Sequence, residues 1–132
     1  MKSNLDKLFK NDEALEENGI WFDISDATGF LVRRFGGFNS PKIKVAMAKY
    51  YKPYARQVDA GTLDQKKEKE IMTRVFVESC IIGWRGIEIQ GEEKPFDVDT
   101  AVELLSGLPE LADTLIAYSS DSKNYREDLG NS

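Results

Sequence analysis

Acidic side chains are concentrated in the second half of the chain, and carboxylates can bind hard cations or act as general acids and bases. A calcium loop needs oxygen ligands at alternating positions and a glycine at its bend. The pair Asp97 and Asp99 does not meet that pattern by itself, and either residue would also serve as a helix N-cap. The sequence therefore predicts no metal site among these carboxylates, which are Glu92, Glu93, Asp97, Asp99 and Asp121.

Other catalytic constellations are missing from the sequence. The chain has no histidine, which is the commonest general base at neutral pH, the commonest zinc ligand and the partner of serine or cysteine nucleophiles. Its one cysteine, Cys80, lies in an apolar run and is expected to be a core residue rather than a reactive thiol. Gly29 and Gly36-Gly37 lack the following lysine and serine of a phosphate-binding loop. We therefore expect no enzyme, no cofactor and no metal.

Charge is distributed unevenly along the chain, whose net charge is −5. Residues 86–132 are acidic, with Lys94, Lys123 and Arg126 as their only basic residues. Residues 27–58 have no acidic residue and seven basic ones: Arg33, Arg34, Lys42, Lys44, Lys49, Lys52 and Arg56. Four of these share one side of a predicted helix, roughly opposite the tyrosines. We call these four the basic stripe: Lys42, Lys49, Lys52 and Arg56.

The basic stripe has three interpretations. It is the solvated face of an amphipathic helix, or it binds the acidic C-terminal helices of a second copy of the chain or an acidic segment of a partner. The third interpretation is contact with nucleic-acid phosphates, with Tyr50, Tyr51 and Tyr54 as stacking residues. The acidity of the whole chain and the core-like spacing of Tyr50 and Tyr54 argue against nucleic acid. The first two interpretations stay open, and the stripe is a candidate partner-binding site.

Trp84 is the last candidate for partner binding. It directly follows the apolar run 75–82, so a core position is favoured, with a partner anchor as the alternative.

The composition is that of a globular protein, with 41% hydrophobic and 31% charged residues. No run approaches the roughly 18 apolar residues that a membrane span requires. The first residues also lack the apolar core of a signal peptide. We therefore expect no membrane association and a location in the cytoplasm of the host cell.

The order of predicted elements is a β-hairpin followed by helices. Residues 1–18 are expected to form a flexible N-terminal segment with a short amphipathic helix, and residues 19–37 a β-hairpin with strands at 20–24 and 30–35. Residues 38–132 are expected to be helical. The fold class is therefore α+β, with an N-terminal β-hairpin packed on a mostly helical domain, and the whole chain is one domain.

Several boundaries inside the helical part are predicted from local chemistry. Ser40-Pro41 begins a helix whose apolar stripe is Ile43, Met47, Tyr50 and Tyr54, and Pro53 ends it. Residues 57–63 are expected to be a connector and residues 64–83 a long central helix. A short strand at 87–90 follows, then a helix capped by Asp97 or Asp99 and a last helix from Pro109.

Four short pieces of the sequence occur in order over roughly residues 20–127. The first is Trp21-Phe22-Asp23-Ile24 with Phe30-Leu31-Val32-Arg33-Arg34, and the second runs from Phe38-Asn39-Ser40-Pro41-Lys42 to Lys52-Pro53-Tyr54. The third is Cys80-Ile81-Ile82-Gly83-Trp84-Arg85-Gly86-Ile87; the fourth is Pro95-Phe96-Asp97 through Ala101 to Leu104-Leu105, then Leu108-Pro109-Glu110-Leu111 and Tyr125. This ordered set resembles the tail assembly chaperones of long-tailed bacteriophages and prophages. Asp97 stands where that family usually has a serine or threonine cap, and it keeps the capping function.

The resemblance implies a protein that binds the tape measure protein, with tail tube subunits as a second client, and keeps it soluble until the tube polymerises. Two alternatives belong to other classes. One is a minor structural component of the virion, in the tail or the head-tail connector. The other is a small nucleic-acid-binding regulator that uses the basic stripe.

Overall fold

The computed structural model describes residues 3–126, so residues 1–2 and 127–132 of the predicted terminal parts lie outside the described residues. The described chain is mostly helical and has a small antiparallel sheet, which confirms the α+β class. The helices are α1 Asn4–Phe9, α2 Glu13–Asn18, α3 Ser40–Tyr51, α4 Ala55–Ala60, α5 Gln65–Cys80, α6 Val98–Gly107 and α7 Pro109–Ser120. The strands are β1 Ile20–Asp23, β2 Gly29–Val32, β3 Ile81–Arg85, β4 Glu88–Ile89 and β5 Glu92–Glu93. Short 3-10 helices cover Gly37–Asn39, Lys52–Tyr54 and Ser122–Tyr125.

The predicted hairpin is confirmed, but it belongs to a three-stranded antiparallel sheet of order β1-β2-β3. Its third strand was not predicted. The sequence indicated one helix over 64–83, whereas α5 ends at Cys80 and β3 begins at Ile81. A continuous apolar run fits a buried helix and a buried strand equally well, so periodicity could not separate the two. The register places Phe30 opposite Trp84 and Leu31 opposite Gly83.

The sheet is held against the helices by aromatic side chains. The ring centroids of Phe22 in β1 and Tyr118 in α7 are 4.4 Å apart, and within the sheet Phe30 of β2 meets Trp84 of β3 edge to face. Helix α5 supplies the largest share of the core, and it packs against both α3 and α6. The second half of α5 is fully buried around Val75, Phe76 and Val77, as its apolar sequence predicts.

Helix α3 ends at Tyr51, just before Pro53, as predicted, but the segment after it and its buried face differ from the prediction. Pro53 lies at the start of a 3-10 turn, and the chain continues into α4, so the connector expected at 57–63 is helical up to Ala60. Proline fits the first positions of a helical segment, where no backbone donor is lost. The buried face of α3 also runs through Ile43 and Ala46, whereas Met47 is 38% exposed.

Residues 1–18 carry two short helices in their described part. Ser3 and Asp6 form a capping box on α1, and Asp12 caps α2. Glu16 of α2 is fully buried, although carboxylates are rarely buried without a partner. Its two oxygens accept hydrogen bonds at 2.7 Å from the Arg34 guanidinium and at 2.7 Å from the backbone amide of Phe38. This ion pair joins α2 to the segment that precedes α3.

Residues 32–39, which we call the polar hub, collect buried hydrogen bonds from distant parts of the chain. The Tyr125 hydroxyl donates to the Val32 carbonyl at 3.0 Å, and the Phe35 amide donates to the Ser119 carbonyl at 2.8 Å. The Asn39 amide donates at 3.0 Å to both the Arg34 and Ser79 carbonyls. The polar hub thereby connects the N-terminal helices, the sheet, α5 and the C-terminal 3-10 turn.

Within residues 3–126, none of the helices combines the length and the apolar character that crossing a membrane demands.

Candidate partner-binding surface

One cation of the basic stripe is paired with a carboxylate, and the other three have no carboxylate partner among residues 3–126. Lys49 Nζ lies 3.4 Å from Glu78 Oε1 of α5 and 5.0 Å from the Tyr50 ring centroid. The hydrogen bond with Tyr50 and the charge of Glu78 raise the pKa of Lys49. Lys42, Lys52 and Arg56 are exposed, and no carboxylate of residues 3–126 lies within 4.0 Å of their charged groups. These three remain available to a partner.

The tyrosines opposite the stripe are engaged by α5. The Tyr50 hydroxyl donates a hydrogen bond to the Glu78 carboxylate, and the Arg74 guanidinium lies 5.7 Å from the Tyr50 ring centroid. Lys67 lies 5.7 Å from the ring centroid of Tyr54. Both rings pack partly against the core, as their spacing predicts. Each ring therefore has a cation of the protein itself near one face, and both rings also line a cavity of about 280 Å³ with these cations.

An apolar groove lies beside the C-terminal end of the stripe, and we call it the α3–α5 groove. It has a volume of about 450 Å³, and Met47, Tyr51, Val58 and Leu63 form its apolar lining. Gln57, Gly61 and Glu68 complete the wall. Every residue of α4 is exposed, and Val58 at 44% contributes to the opening of the groove.

Sequence reasoning missed the α3–α5 groove because its lining residues come from α3, α4, the following loop and α5. Met47 was placed in the core stripe, and residues 57–63 were taken as a connector. The available signal was the valine at position 58 and the leucine at position 63, two apolar residues within a polar stretch.

Trp84 is a core residue. Its side chain is 9% exposed, its indole Nε1 donates to the Lys94 carbonyl at 2.8 Å, and its ring packs edge to face on Phe96. This burial confirms the core interpretation and leaves no free ring face for a partner anchor. The exposed tryptophan of the sheet is instead Trp21, which is covered by the Arg85 guanidinium 4.6 Å from its ring centroid.

Helices α6 and α7 form an acidic face. The sequence between Lys94 and Lys123 has no basic residue, and its carboxylates are exposed. Asp97 caps α6 as predicted, and its hydrogen bonds from Thr100 lower the pKa of its carboxyl group. Arg74 of α5 pairs with Asp99 at 3.1 Å. The exposed carboxylates of this face are Asp97, Asp99, Glu103, Glu110, Asp113 and Asp121.

Few side chains in the part of the chain that the structure describes could bind a metal ion or act as a nucleophile. Across residues 3–126, no three Cys, Asp or Glu side chains converge in a way that could hold a metal ion. Burial raises the pKa of the Cys80 thiol to about 12, so the thiol stays protonated and poorly nucleophilic at neutral pH.

Comparison with known proteins gives one result. Neither the curated proteins nor the solved structures contain a match to this chain. The family model described as YdaY prophage protein matches residues 38–130, which include the basic stripe, the α3–α5 groove and the acidic face. The match leaves out α1, α2 and the β1-β2 hairpin. Because it covers more than half of the sequence, the chain belongs to the YdaY prophage protein family.

Proposed function

We propose that this prophage protein is a tail assembly chaperone, a protein without catalytic activity that binds the tape measure protein in the host cytoplasm during tail morphogenesis. Tail tube subunits are a second candidate client. The observation that carries the proposal is the largely apolar α3–α5 groove. Two of its lining residues, Tyr51 and Gln57, are adjacent in sequence to Lys52 and Arg56, whose charged groups have no carboxylate of residues 3–126 within 4.0 Å. The resemblance of the sequence to tail assembly chaperones and its membership of a prophage family are consistent with it.

The groove suits a helical client. An amphipathic helix binds a groove by placing its apolar side chains at positions i, i+3, i+4 and i+7 into it. Met47, Tyr51, Val58 and Leu63 supply the apolar wall for such side chains. Lys52 and Arg56 are adjacent in sequence to Tyr51 and Gln57 of the wall, so they would attract acidic residues of the client and fix its orientation.

The nucleic-acid alternative is weaker because it needs aromatic rings and phosphate-binding cations together. The cations beside Tyr50 and Tyr54 are already paired with carboxylates of the protein: Lys49 with Glu78, Lys67 with Glu70 and Arg74 with Asp99. The net charge of −5 also opposes association with a polyanion.

Co-expression with the tape measure protein of the same prophage tests the proposal. We expect the tape measure protein to become soluble and to co-purify with the wild-type chain. The double variant Lys52→Glu/Arg56→Glu should recover much less of it. The matched control is Lys10→Glu/Lys123→Glu, which reverses the same number of exposed charges elsewhere. Failure of the wild-type chain to co-purify with the tape measure protein would refute the proposal, and equal recovery by both variants would refute the contribution of the stripe.

Mass spectrometry of purified virions separates a chaperone from a structural component. A chaperone is expected to be absent from the finished particle. A stoichiometric amount in mature tails would favour the minor virion component instead.

A further inference from the structure

Helix α1 presents an apolar face that the rest of the described chain leaves uncovered. Leu5, Leu8 and Phe9 lie at i, i+3 and i+4, and they are 56%, 56% and 64% exposed. None of the extensive packing between elements involves α1. The Arg126 guanidinium lies beside this face, 5.5 Å from the Phe9 ring centroid. A helix with three large exposed apolar residues on one side is typical of a segment that docks into a groove.

The segment that carries α1 is firmly attached at its other end. Glu16 holds α2 against Arg34 and Phe38 with two hydrogen bonds of 2.7 Å. Residues 10–12 connect this anchored α2 to α1. The apolar helix therefore projects from a fixed point on a short tether.

The α3–α5 groove is complementary to this segment in polarity and in charge. Its lining is mostly apolar, with Gln57 and Glu68 as its polar side chains. Lys52 and Arg56, adjacent in sequence to the wall residues Tyr51 and Gln57, have no carboxylate partner in the described part of the chain. Apart from Glu16, which is paired with Arg34, residues 3–18 still have more acidic than basic side chains, with Asp6, Asp12, Glu13 and Glu17 against Lys7 and Lys10. An uncovered apolar helix on an acidic segment and an open apolar groove beside free cations thus occur on the same molecule.

We propose that α1 of one copy docks into the α3–α5 groove of a second copy. Glu16 fixes α2 beside the N-terminal end of α3, whereas Met47 and Tyr51 place the groove at its C-terminal end. The twelve residues of α3 separate these ends by about 18 Å, and a three-residue tether spans only about 10 Å. The tether of α1 is therefore shorter than the distance to the groove of its own copy. The groove of a second copy is not subject to this restriction, because that copy can approach α1 freely.

This pairing is independent of the proposed chaperone function. A helical client that enters the groove would displace α1, so client binding and self-association would compete. The pairing itself requires nothing but the protein.

Single substitutions of exposed apolar residues by aspartate test the pairing with matched variants. Light scattering coupled to size-exclusion chromatography measures the mass of the wild type, Leu8→Asp, Val58→Asp and the control Ile24→Asp over a range of concentrations. Ile24 is 48% exposed and belongs to neither surface. We expect Leu8→Asp and Val58→Asp each to raise the dissociation constant of the pair roughly tenfold or more, and Ile24→Asp to leave it unchanged. Circular dichroism confirms that each variant is folded.

A mixture of Leu8→Asp with Val58→Asp distinguishes this contact from other interfaces. The first variant retains an intact groove and the second an intact α1, so the mixture should associate more strongly than either variant alone. Three results would overturn the proposal: a wild-type chain that stays monomeric at its highest soluble concentration, an equal loss of association in Ile24→Asp, or a mixture no stronger than its components.

Discussion

The two ends of α3 differ in how the chain around them is held. At its N-terminal end, the polar hub receives buried hydrogen bonds from α2, α5, α7 and the last 3-10 turn. At its C-terminal end, every residue of α4 is exposed, and the α3–α5 groove lies open. Since one helix joins both ends, the first can be rigid while the second stays accessible.

The difference teaches where this protein can tolerate change. Regions with many buried contacts open only with the whole fold, whereas exposed helices with few contacts open at low free energy. The polar hub should therefore determine the free energy of unfolding. The surface around α4 should determine what the protein binds. Substitutions at the two ends provide direct tests of this division.

The largest effect is expected at Glu16. Replacing it by alanine leaves the guanidinium of Arg34, 17% exposed, without its carboxylate, and it removes the acceptor of the Phe38 amide. Breaking a buried ion pair costs several kcal/mol, so we expect Glu16→Ala to lower the free energy of unfolding by about 3 kcal/mol. Urea denaturation measures it. Glu13→Ala, an exposed carboxylate on the same helix, is the control, and equal losses in the two variants would contradict a stabilising role of the ion pair.

A smaller loss is expected from Tyr125→Phe. The change removes the hydroxyl that donates to the Val32 carbonyl and leaves that carbonyl without this donor in a buried position. An unsatisfied buried acceptor costs about 1 to 2 kcal/mol, which we expect as the decrease in the free energy of unfolding. Tyr118→Phe, in a half-buried ring, should change it much less. If the two variants unfold at the same denaturant concentration, the hydrogen bond does not contribute.

The pH dependence of stability reports on Cys80 at the edge of the polar hub. Its folded pKa of about 12 lies above that of an unfolded thiol, so its contribution to stability is complete below the unfolded pKa and is lost as the pH rises towards the folded value. Between pH 8 and pH 10 we expect a loss on the order of 1 kcal/mol that is absent in Cys80→Ala. Urea denaturation at both pH values checks it. Parallel profiles for the two proteins would show that the thiol is not involved.

The smallest effect on stability is expected at the other end of α3. The variant Lys52→Glu/Arg56→Glu changes two exposed side chains, and such substitutions shift the free energy of unfolding by about 0.5 kcal/mol or less. Thermal denaturation followed by circular dichroism measures the change. A loss as large as that of Tyr125→Phe would remove the distinction between the two ends.

Features that depend only on residues close together in the sequence could be predicted. The hairpin at 20–32, the helix that begins at Ser40-Pro41 and the Asp97 cap all follow from local patterns. Strand β3 could not be predicted, because the residues after Cys80 continue an apolar run and only pairing with β2 selects the extended form.

The candidate site was predictable only in part, for the same reason. The basic stripe is a local pattern, but the pairing of Lys49 with Glu78 joins residues that are far apart in sequence. The α3–α5 groove needs three helices in place. Nothing in the segment around Glu16 distinguishes this carboxylate from its exposed neighbours, because its burial depends on Arg34 and Phe38.

The hydrogen bond from Tyr125 to Val32 has a consequence for the newly made chain. Its partners are 93 positions apart, so at cellular rates of translation the ribosome adds Tyr125 roughly 5 to 20 s after Val32. During that interval Glu16 of α2 can already bind Arg34 and Phe38, since the hydrogen bond between Glu16 and Phe38 joins residues only 22 positions apart. The hairpin and the N-terminal helices can therefore associate during translation, whereas the last bond of the polar hub forms only after the C-terminal turn has been synthesised.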